Sequence, residues 1–477
     1  MSADDKTSRV ADMRFAVDLR RQFESVGENV ADSPKRHGWM MIAGGVTAVI
    51  VTAAAILLLG RPNPGPERKV AVASPTATAR PTTKSAKSEP TGGRLGPASL
   101  PDVTMISAVT IDGAGRPWLT GSRALEQPFV AYLEGGQWVQ IPPPAGAKTL
   151  GPATVLSADD LWAPVTRGFA HWDGAAWQKT SVPWLDGDIF GIADMAALST
   201  SDIWAVGRQE GELYKTPGDG PGEHTVGYRP LTMHWDGAGW VQVNVPAMPG
   251  RTSTLEAVAT SGSETWAVGS YEQKTGEQAQ QGQGSLPMEL TRDGPIALRW
   301  NGDRWIDMDV PSVGARGTAL GDVLVLAAND VWVLGWTFHG DESASHDETV
   351  STYVAHWDGA SWEQIKTPHG DGLGSFWSLA GTSDEDIWLG GNGSGGIGYA
   401  ETAHWDGARW VIYAPVTFGE NSGSTVGTGM PQITSSSAMD VWFDAGFTRS
   451  WDDGSRPADP VLYHWEGQSW TKVVVPF

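Results

Sequence analysis

Histidine and acidic residues recur in this sequence at fixed spacing, and such groups could bind a metal ion or transfer protons. The histidines at one repeated position are His171, His234, His356, His404 and His464. The acidic residues at a second repeated position are Asp160, Asp202, Glu264, Asp330, Asp386 and Asp440. The question is whether these residues form one site or several separate pairs.

The spacing favours separate structural pairs. Each acidic residue begins a predicted strand and lies two positions before a Trp, and each His lies near the end of the next antiparallel strand. Because these positions meet at the same end of neighbouring strands, we predict cross-strand His–Asp hydrogen bonds. In the fourth repeat, Glu264 and Arg299 keep the same charge complementarity. Residues repeated around a ring lie too far apart to meet on one ligand. We therefore predict no catalytic, cofactor-binding or metal-binding role for these residues.

Several kinds of chemistry are absent from the sequence. The 477 residues include no Cys, which excludes disulfides, a thiolate nucleophile and Cys-based metal centres. There is no GxSxG, HExxH, P-loop or βαβ-associated GxGxxG motif, and no cofactor is predicted. A carboxylate pair assembled from different repeats stays open. The acidic loop 339–348 could hold a divalent cation, although a solvated loop explains it more simply.

Two motifs define seven repeats. HWDGxxW-like segments occur at 171–177, 234–240, 356–362, 404–410 and 464–470, with degenerate copies at 132–138 and 299–305. DxWAVG-like segments are centred on Trp118, Trp162, Trp204, Trp266, Trp332, Trp388 and Trp442. The mean period is about 54 residues, close to the kelch-like period of about 50.

Each repeat reads as four short strands. The fourth shows them at 255–260, 265–269, 297–300 and 305–310, with a two-residue turn at Asn301-Gly302. A four-stranded sheet with two apolar faces needs a neighbour on each side. We therefore predict an all-β fold, a seven-bladed β-propeller of four-stranded blades over residues 104–477. An open solenoid is the alternative, and it would require polar end repeats.

The paired DxWAVG and HWDGxxW motifs resemble those of the membrane-anchored, Trp-rich β-propeller repeat proteins of actinomycete-type bacteria. These proteins are grouped loosely with kelch and galactose-oxidase-like propellers. The resemblance covers about residues 104–477 and implies a propeller held at a membrane. It does not imply galactose-oxidase activity, because the Tyr–Cys cofactor of that enzyme needs a cysteine.

The segment before the repeats predicts a membrane anchor. Residues 39–59 carry no charge, and a helix of that length spans about 30 Å of hydrocarbon. We predict a single transmembrane helix within 38–60, with a cleavable signal peptide as the alternative. Residues 61–103 are rich in Pro, Thr and Ser, which predicts a disordered linker. Residues 1–37 are then a short tail.

The tail and its flanking charges suggest an orientation. Residues 8–27 contain an apolar stripe that predicts a short amphipathic helix, formed by Ala11, Phe15, Leu19, Phe23 and Val26. This helix either rests on the inner membrane surface or binds a cytoplasmic protein partner. Lys35-Arg36 borders the apolar run, so we predict a cytoplasmic N-terminus and an extracytoplasmic propeller at the plasma membrane.

Charge and loop length limit the function. The net charge is −22, and its acidic excess lies in the repeats, which argues against nucleic acid as a partner.

The loops between the second and third strands of the repeats (the b–c loops) are long and dissimilar, at 207–230, 269–295, 335–352 and 445–460. The connection 414–431 between two repeats is also extended. These segments share one predicted face, so we expect recognition there.

We therefore predict a non-enzymatic binding or docking module for a protein or an envelope glycan. It could act as a receptor or platform for a larger assembly that meets the cytoplasmic tail. The alternative is a glycan-active hydrolase or lyase that uses carboxylates on the variable face.

Overall fold

A computed structural model describes much of the repeat region. The described ranges are 103–123, 127–147, 150–165, 168–182, 191–214, 225–250, 252–279, 288–339, 350–369, 375–392, 400–413, 425–427, 431–445, 448–450 and 462–473. All regular elements in these ranges are β-strands. The chain is therefore an all-β protein over the part that the structure describes.

Five sheets are separate and four-stranded, and each contains one sequence repeat. The first three are β1 (Val103–Ile111), β2 (Pro117–Arg123), β3 (Gln127–Glu134) and β4 (Gln137–Ile141); β5 (Thr154–Ser157), β6 (Asp160–Val165), β7 (Gly168–Trp172) and β8 (Trp177–Ser181); and β9 (Gly191–Ser199), β10 (Asp202–Tyr214), β11 (Thr225–Trp235) and β12 (Trp240–Gln242).

The fourth and fifth repeats share one sheet of eight strands. Its strands are β13 (Thr252–Ser261), β14 (Glu264–Ala279), β15 (Met288–Trp300), β16 (Trp305–Asp307), β17 (Gly317–Ala327), β18 (Asp330–Phe338), β19 (Val350–Trp357) and β20 (Trp362–Gln364).

The last two four-stranded sheets contain the sixth and seventh repeats, and a two-stranded ribbon accompanies the seventh. The sixth repeat contains β21 (Ser375–Ser383), β22 (Asp386–Asn392), β23 (Ala400–Trp405) and β24 (Trp410–Tyr413). The ribbon pairs β25 (Thr425–Gly427) with β28 (Thr448–Ser450), and the seventh repeat contains β26 (Gln432–Ser437), β27 (Asp440–Asp444), β29 (Leu462–Trp465) and β30 (Trp470–Val473).

Tryptophan packing joins neighbouring repeats. The motif Trp on the second strand of one repeat meets a Trp on the fourth strand of the next repeat. The pair Trp204–Trp305, for example, has ring centroids 5.0 Å apart at 74°. The same edge-on contact occurs in Trp162–Trp240, Trp266–Trp362 and Trp388–Trp470. Burying such large apolar rings between repeats stabilises the contact of each repeat with the next.

The ring of repeats is closed. The first strands of the repeats lie innermost, and each contacts the first strand of the next repeat. The last of them, β26, contacts β1, where the Gln432 side chain accepts from the Val109 N–H at 3.1 Å and donates to the Ser107 carbonyl at 2.9 Å. The ends of the chain region therefore meet without sharing a strand, and the open solenoid is excluded.

The predicted seven separate four-stranded blades are wrong. The described residues form a β-propeller with five separate four-stranded blades, because β15 pairs in parallel with β17 through Asp293 and Gly317 and merges two repeats. The Asp293 N–H also donates to the Arg316 carbonyl at 2.8 Å. A Cβ at Gly317 would lie 1.8 Å from the Asp293 oxygen, so only glycine permits this close approach.

Two of the predicted loops are largely strand. Most of the segments 207–230 and 269–295 forms β-hairpin arms, in which β10 pairs with β11 and β14 pairs with β15 well beyond the predicted strand ends. The predicted two-residue turn at Asn301-Gly302 is also wrong, because Trp300 pairs with Trp305 across four residues.

The predicted anchor region lies outside the described residues. This applies to the tail 1–37, the apolar run 39–59 and the linker up to residue 102. Within the described ranges, no helix has the length and apolar character needed to cross a bilayer. The first strand begins at Val103, one residue before the predicted start of the propeller.

Replacing Gln432 with Ala should weaken the closure of the ring. It removes the acceptor for the buried Val109 N–H and the donor to Ser107, which should lower the free energy of unfolding by about 1–3 kcal/mol. Urea unfolding of the full chain measures the change. The exposed Gln364→Ala substitution on an outer strand is the control and should change it by less than about 0.5 kcal/mol. Equal effects of the two substitutions would contradict a closing role for Gln432.

Candidate functional site

The predicted His–Asp pairs are confirmed in five repeats. The Nε2 atom of each His lies 2.7–2.9 Å from the Oδ1 atom of its Asp. Each His also lies opposite the motif Trp in the strand register and stacks on that ring, with centroids 4.2–4.5 Å apart. The five histidines therefore belong to five separate, internally bonded units.

The fourth repeat reproduces the unit with other residues. Arg299 donates to Glu264 through Nε at 2.7 Å and Nη2 at 2.9 Å, so the predicted pair is confirmed. The bond to Glu264 raises the pKa of Arg299 above its usual value. The guanidinium lies over the Trp266 ring at 5.9 Å, in the place that His occupies elsewhere.

Hydrogen bonding lowers the pKa of two of the paired carboxylates, Asp386 and Asp440. Burial acts to raise the pKa of Asp386, but hydrogen bonds from His404, Thr382 and Trp388 outweigh it and hold the pKa below its usual value. The same balance, led by burial and then by the bond from His464, lowers the pKa of Asp440. These two carboxylates therefore have a structural role.

One face of the ring is built from short, similar turns. In five repeats, the Asp or Asn that directly follows the Trp ending the third strand accepts, through its Oδ1 atom, the N–H groups two and three residues later. We call this the plain face. The opposite face carries the two hairpin arms and the connections between repeats, and we call it the elaborated face.

Carboxylates on the innermost strands link neighbouring repeats. Asp194 accepts the Val258 N–H of the next repeat at 2.9 Å, and Asp322 accepts the Leu379 N–H at 2.7 Å. Burial raises the pKa of Asp322 well above its usual value, and the hydrogen bonds to it act in the opposite direction. Both side chains are buried, so they serve the ring itself.

One group of side chains belongs to none of these repeated units. Trp336, Trp377, His369 and Glu401 lie at the junction of the fifth and sixth repeats, and we call them the seam cluster. Trp336 is near the end of β18, Trp377 near the start of β21 and Glu401 near the start of β23, while His369 precedes β21. All four positions are at the strand ends of the elaborated face.

The two tryptophans of the seam cluster contact each other across the junction. Their ring centroids are 5.0 Å apart and their planes are tilted by 49°. A Cβ at Gly321 would lie 2.4 Å from the Trp336 ring, so that glycine leaves space for the indole over β17. Both tryptophans are half-buried.

The acidic member of the cluster departs from the repeat pattern. Glu401 pairs with Gly391 in the register, and the equivalent positions in four other repeats hold the buried apolar residues Phe129, Leu231, Ile296 and Tyr353. Its Oε1 atom lies 2.5 Å from His369 Nε2, which stabilises a carboxylate at this place. A polar pair where the fold favours an apolar residue is typical of a functional site.

The members of the cluster are connected through the strands between them. Thr352 lies opposite Trp336 in the register and its Oγ1 accepts the Phe376 N–H at 3.3 Å. Phe376 precedes Trp377 and stacks on the His369 ring at 5.8 Å. These contacts place all four side chains at the junction of the fifth and sixth repeats.

Sequence reasoning missed the seam cluster. Alignment on the motif histidines shows Glu401 three residues before His404, where other repeats carry apolar residues, so that signal was available. Trp377 gave no signal, because it is the extra residue of a β-bulge between Phe376 and Ser378. Most of the loop 339–348, which was suggested as a cation site, lies outside the described residues. His339, at its described end, bonds Ser351 Oγ at 2.7 Å.

No protein-family model and no curated protein matches the sequence. Solved structures with a similar arrangement include YCF48 from Cyanidioschyzon merolae, at 12% identity and a TM-score of 0.41, covering 79% of this chain and 98% of that one. Virginiamycin B lyase from Staphylococcus aureus is similar at 10% identity and a TM-score of 0.43, with 74% and 94% covered.

The fucose-specific lectin from Aleuria aurantia is similar at 11% identity and a TM-score of 0.38, with 78% and 96% covered. At these identities and TM-scores, the similarities carry no information on ligand or activity.

Replacing Asp386 with Asn should change how stability depends on pH. A carboxylate with a lowered folded-state pKa stabilises the fold above its unfolded pKa of about 3.9, and this stabilisation is lost as pH falls through the folded value. Asp386→Asn should therefore lower the free energy of unfolding by about 1–2 kcal/mol near neutral pH and less at about pH 3. Urea unfolding at both pH values tests this, with the exposed Asp303→Asn as control. An equal loss at both would show that the charge of Asp386 is unimportant.

Proposed function

We propose that this protein is a binding module whose elaborated face recognises a protein or a glycan outside the cell. We further propose that residues 38–60 hold it at the plasma membrane with the N-terminus in the cytoplasm. In this arrangement the tail, residues 8–27, is available to a cytoplasmic partner, and the protein acts as a receptor or platform.

The difference between the two faces carries the proposal. The plain face repeats one short turn, in which an Asp or Asn side chain bonds the backbone N–H groups of the same turn. Few polar groups are therefore left there to bind a ligand. The elaborated face presents the hairpin arms β10–β11 and β14–β15 together with the seam cluster, which are individual to single repeats. Recognition needs residues that differ around the ring, because identical ones are too far apart to meet on one ligand.

A hydrolase or lyase would require carboxylates that are free to act on a substrate. Among the described acidic residues, Asp194 and Asp322 accept backbone N–H groups, and Glu401 is bonded to His369. These bonds favour a scaffold and binding role for the carboxylates near the inner strands. These contacts therefore favour a binding function over catalysis.

Cross-linking from the two faces tests where recognition occurs. The chain has no cysteine, so single cysteines at the exposed Gln273 of an arm and at the exposed Ala238 of a plain-face turn can each carry a photoreactive maleimide. In illuminated cells that express the full chain, we expect adducts from Gln273→Cys at least about ten-fold more abundant than from Ala238→Cys, since only the arm lies near a bound partner. Gel shifts and mass spectrometry measure them. Adducts predominantly from Ala238→Cys would overturn the assignment of the face.

Cysteine labelling of intact cells tests the proposed orientation. Ser88→Cys in the linker should react with a membrane-impermeant maleimide, and Ser25→Cys in the tail should react only after the cells are permeabilised. The unsubstituted, cysteine-free chain is the control and should not be labelled. Labelling at residue 25 but not at residue 88 would reverse the orientation and place the elaborated face in the cytoplasm.

A further inference from the structure

The tryptophans of the seam cluster form one continuous apolar platform. Because the centroids of Trp336 and Trp377 are 5.0 Å apart, the rings touch and no ligand group can enter between them. The Nε1 atom of each ring is buried and has no hydrogen-bond partner. The accessible part of each indole is therefore ring carbon, which suits a ligand with a flat apolar surface.

The His–Glu pair adds polar groups at the same junction of repeats. Glu401 and His369 have side chains that are 12% and 14% exposed, so they are largely shielded from bulk water. Nε2 of His369 contacts Glu401 at 2.5 Å, while Nδ1 of His369 and the second carboxylate oxygen of Glu401 have no hydrogen-bond partner within the part of the chain that the structure describes. Such a pair can accept and donate hydrogen bonds to hydroxyl groups.

Charge distinguishes between anionic, cationic and neutral ligands for this site. The net charge of −22 repels anions from this protein. A cation would need a free counter-charge or an aromatic cage, but Glu401 is already paired with His369 and the two indoles leave no gap between them. A neutral molecule with an apolar face and several hydroxyl groups meets both requirements.

From this geometry, we infer that the seam cluster is a binding site for a neutral carbohydrate. This inference rests on the proposed binding function and specifies its ligand class. One face of a pyranose ring lies on the carbon surface of Trp336 and Trp377, and its hydroxyl groups bond to His369 and Glu401. Gly321 contributes by leaving space for the Trp336 ring.

Isothermal titration of the full chain in lipid nanodiscs, free of sugar-based detergents, tests the inference. The probes are cellohexaose, maltohexaose and chitohexaose, with an arginine-rich peptide as the cationic comparison. We expect saturable binding of at least one hexasaccharide and none of the peptide. Trp377→Ala should weaken sugar binding at least about ten-fold, and Glu401→Gln, which preserves shape, should weaken it about five-fold.

Control variants separate loss of the site from loss of the fold. Met439→Ala removes a side chain that is 66% exposed at a plain-face turn, and Val241→Ala removes one that is 45% exposed on the outer strand β12. Both should bind sugar as the unsubstituted chain does. Thermal melts show whether each variant is folded. If Trp377→Ala fails to fold, Trp377→Phe replaces it in the test; because this variant keeps an aromatic surface, it should retain most of the affinity for sugar.

The possible outcomes are distinct. Absence of saturable binding to all three sugars overturns the inference, as does binding that Trp377→Ala and Glu401→Gln leave unchanged. Peptide binding that depends on Trp377 also overturns it, in favour of a cationic ligand. If sugar binding fails while cross-links still form from Gln273→Cys, the carbohydrate inference fails and the proposed recognition face stands.

Discussion

The edge-on contact between tryptophans of successive repeats is the interaction on which the rest of this structure depends. Trp204 of the third repeat and Trp305 of the fourth, at 5.0 Å and 74°, show it in its usual form. Each repeat alone is a small sheet with two apolar faces, which is unstable in water. The tryptophans cover those faces, and a closed ring covers all of them at once.

The His–Asp units serve this packing. In four of the five units the Asp bonds both the indole N–H and the His ring. The His stacks on the Trp ring, as His404 does on Trp388. The unit fixes the orientation of the ring that enters the next sheet. In the fourth repeat, the planar guanidinium of Arg299 pairs with Glu264 and takes the place of the imidazole over the indole.

In a ring of similar repeats, the residues that differ from the repeated pattern are the candidates for a specific function. Glu401 occupies a position where other repeats bury apolar residues, and its partner His369 comes from a connection between repeats. Trp377 is the extra residue of a bulge, and Gly321 makes space for Trp336. These four deviations meet at one junction, whereas the repeated residues are distributed around the whole ring. The residues of the proposed ligand site are therefore distinguished by the place where they meet and not by their residue types.

The sequence determined the repeats, the all-β class, the strand positions of the motif tryptophans and the His–Asp and Glu–Arg pairs, because all of these follow from local alternation and fixed spacing. It could not determine the number of separate sheets. That depended on the Asp293–Gly317 pairing, a contact between repeats that only the close approach of two backbones permits.

The seam cluster was likewise decided by tertiary structure, since Trp336 and Trp377 are 41 residues apart in sequence numbering and meet only when the fifth and sixth repeats pack. Glu401 was visible as an exception in the repeat alignment, but its partner was not, because His369 lies in a connection of no fixed pattern. Local periodicity specifies the scaffold of a repeat protein. The contacts between repeats decide where its exceptional residues come together.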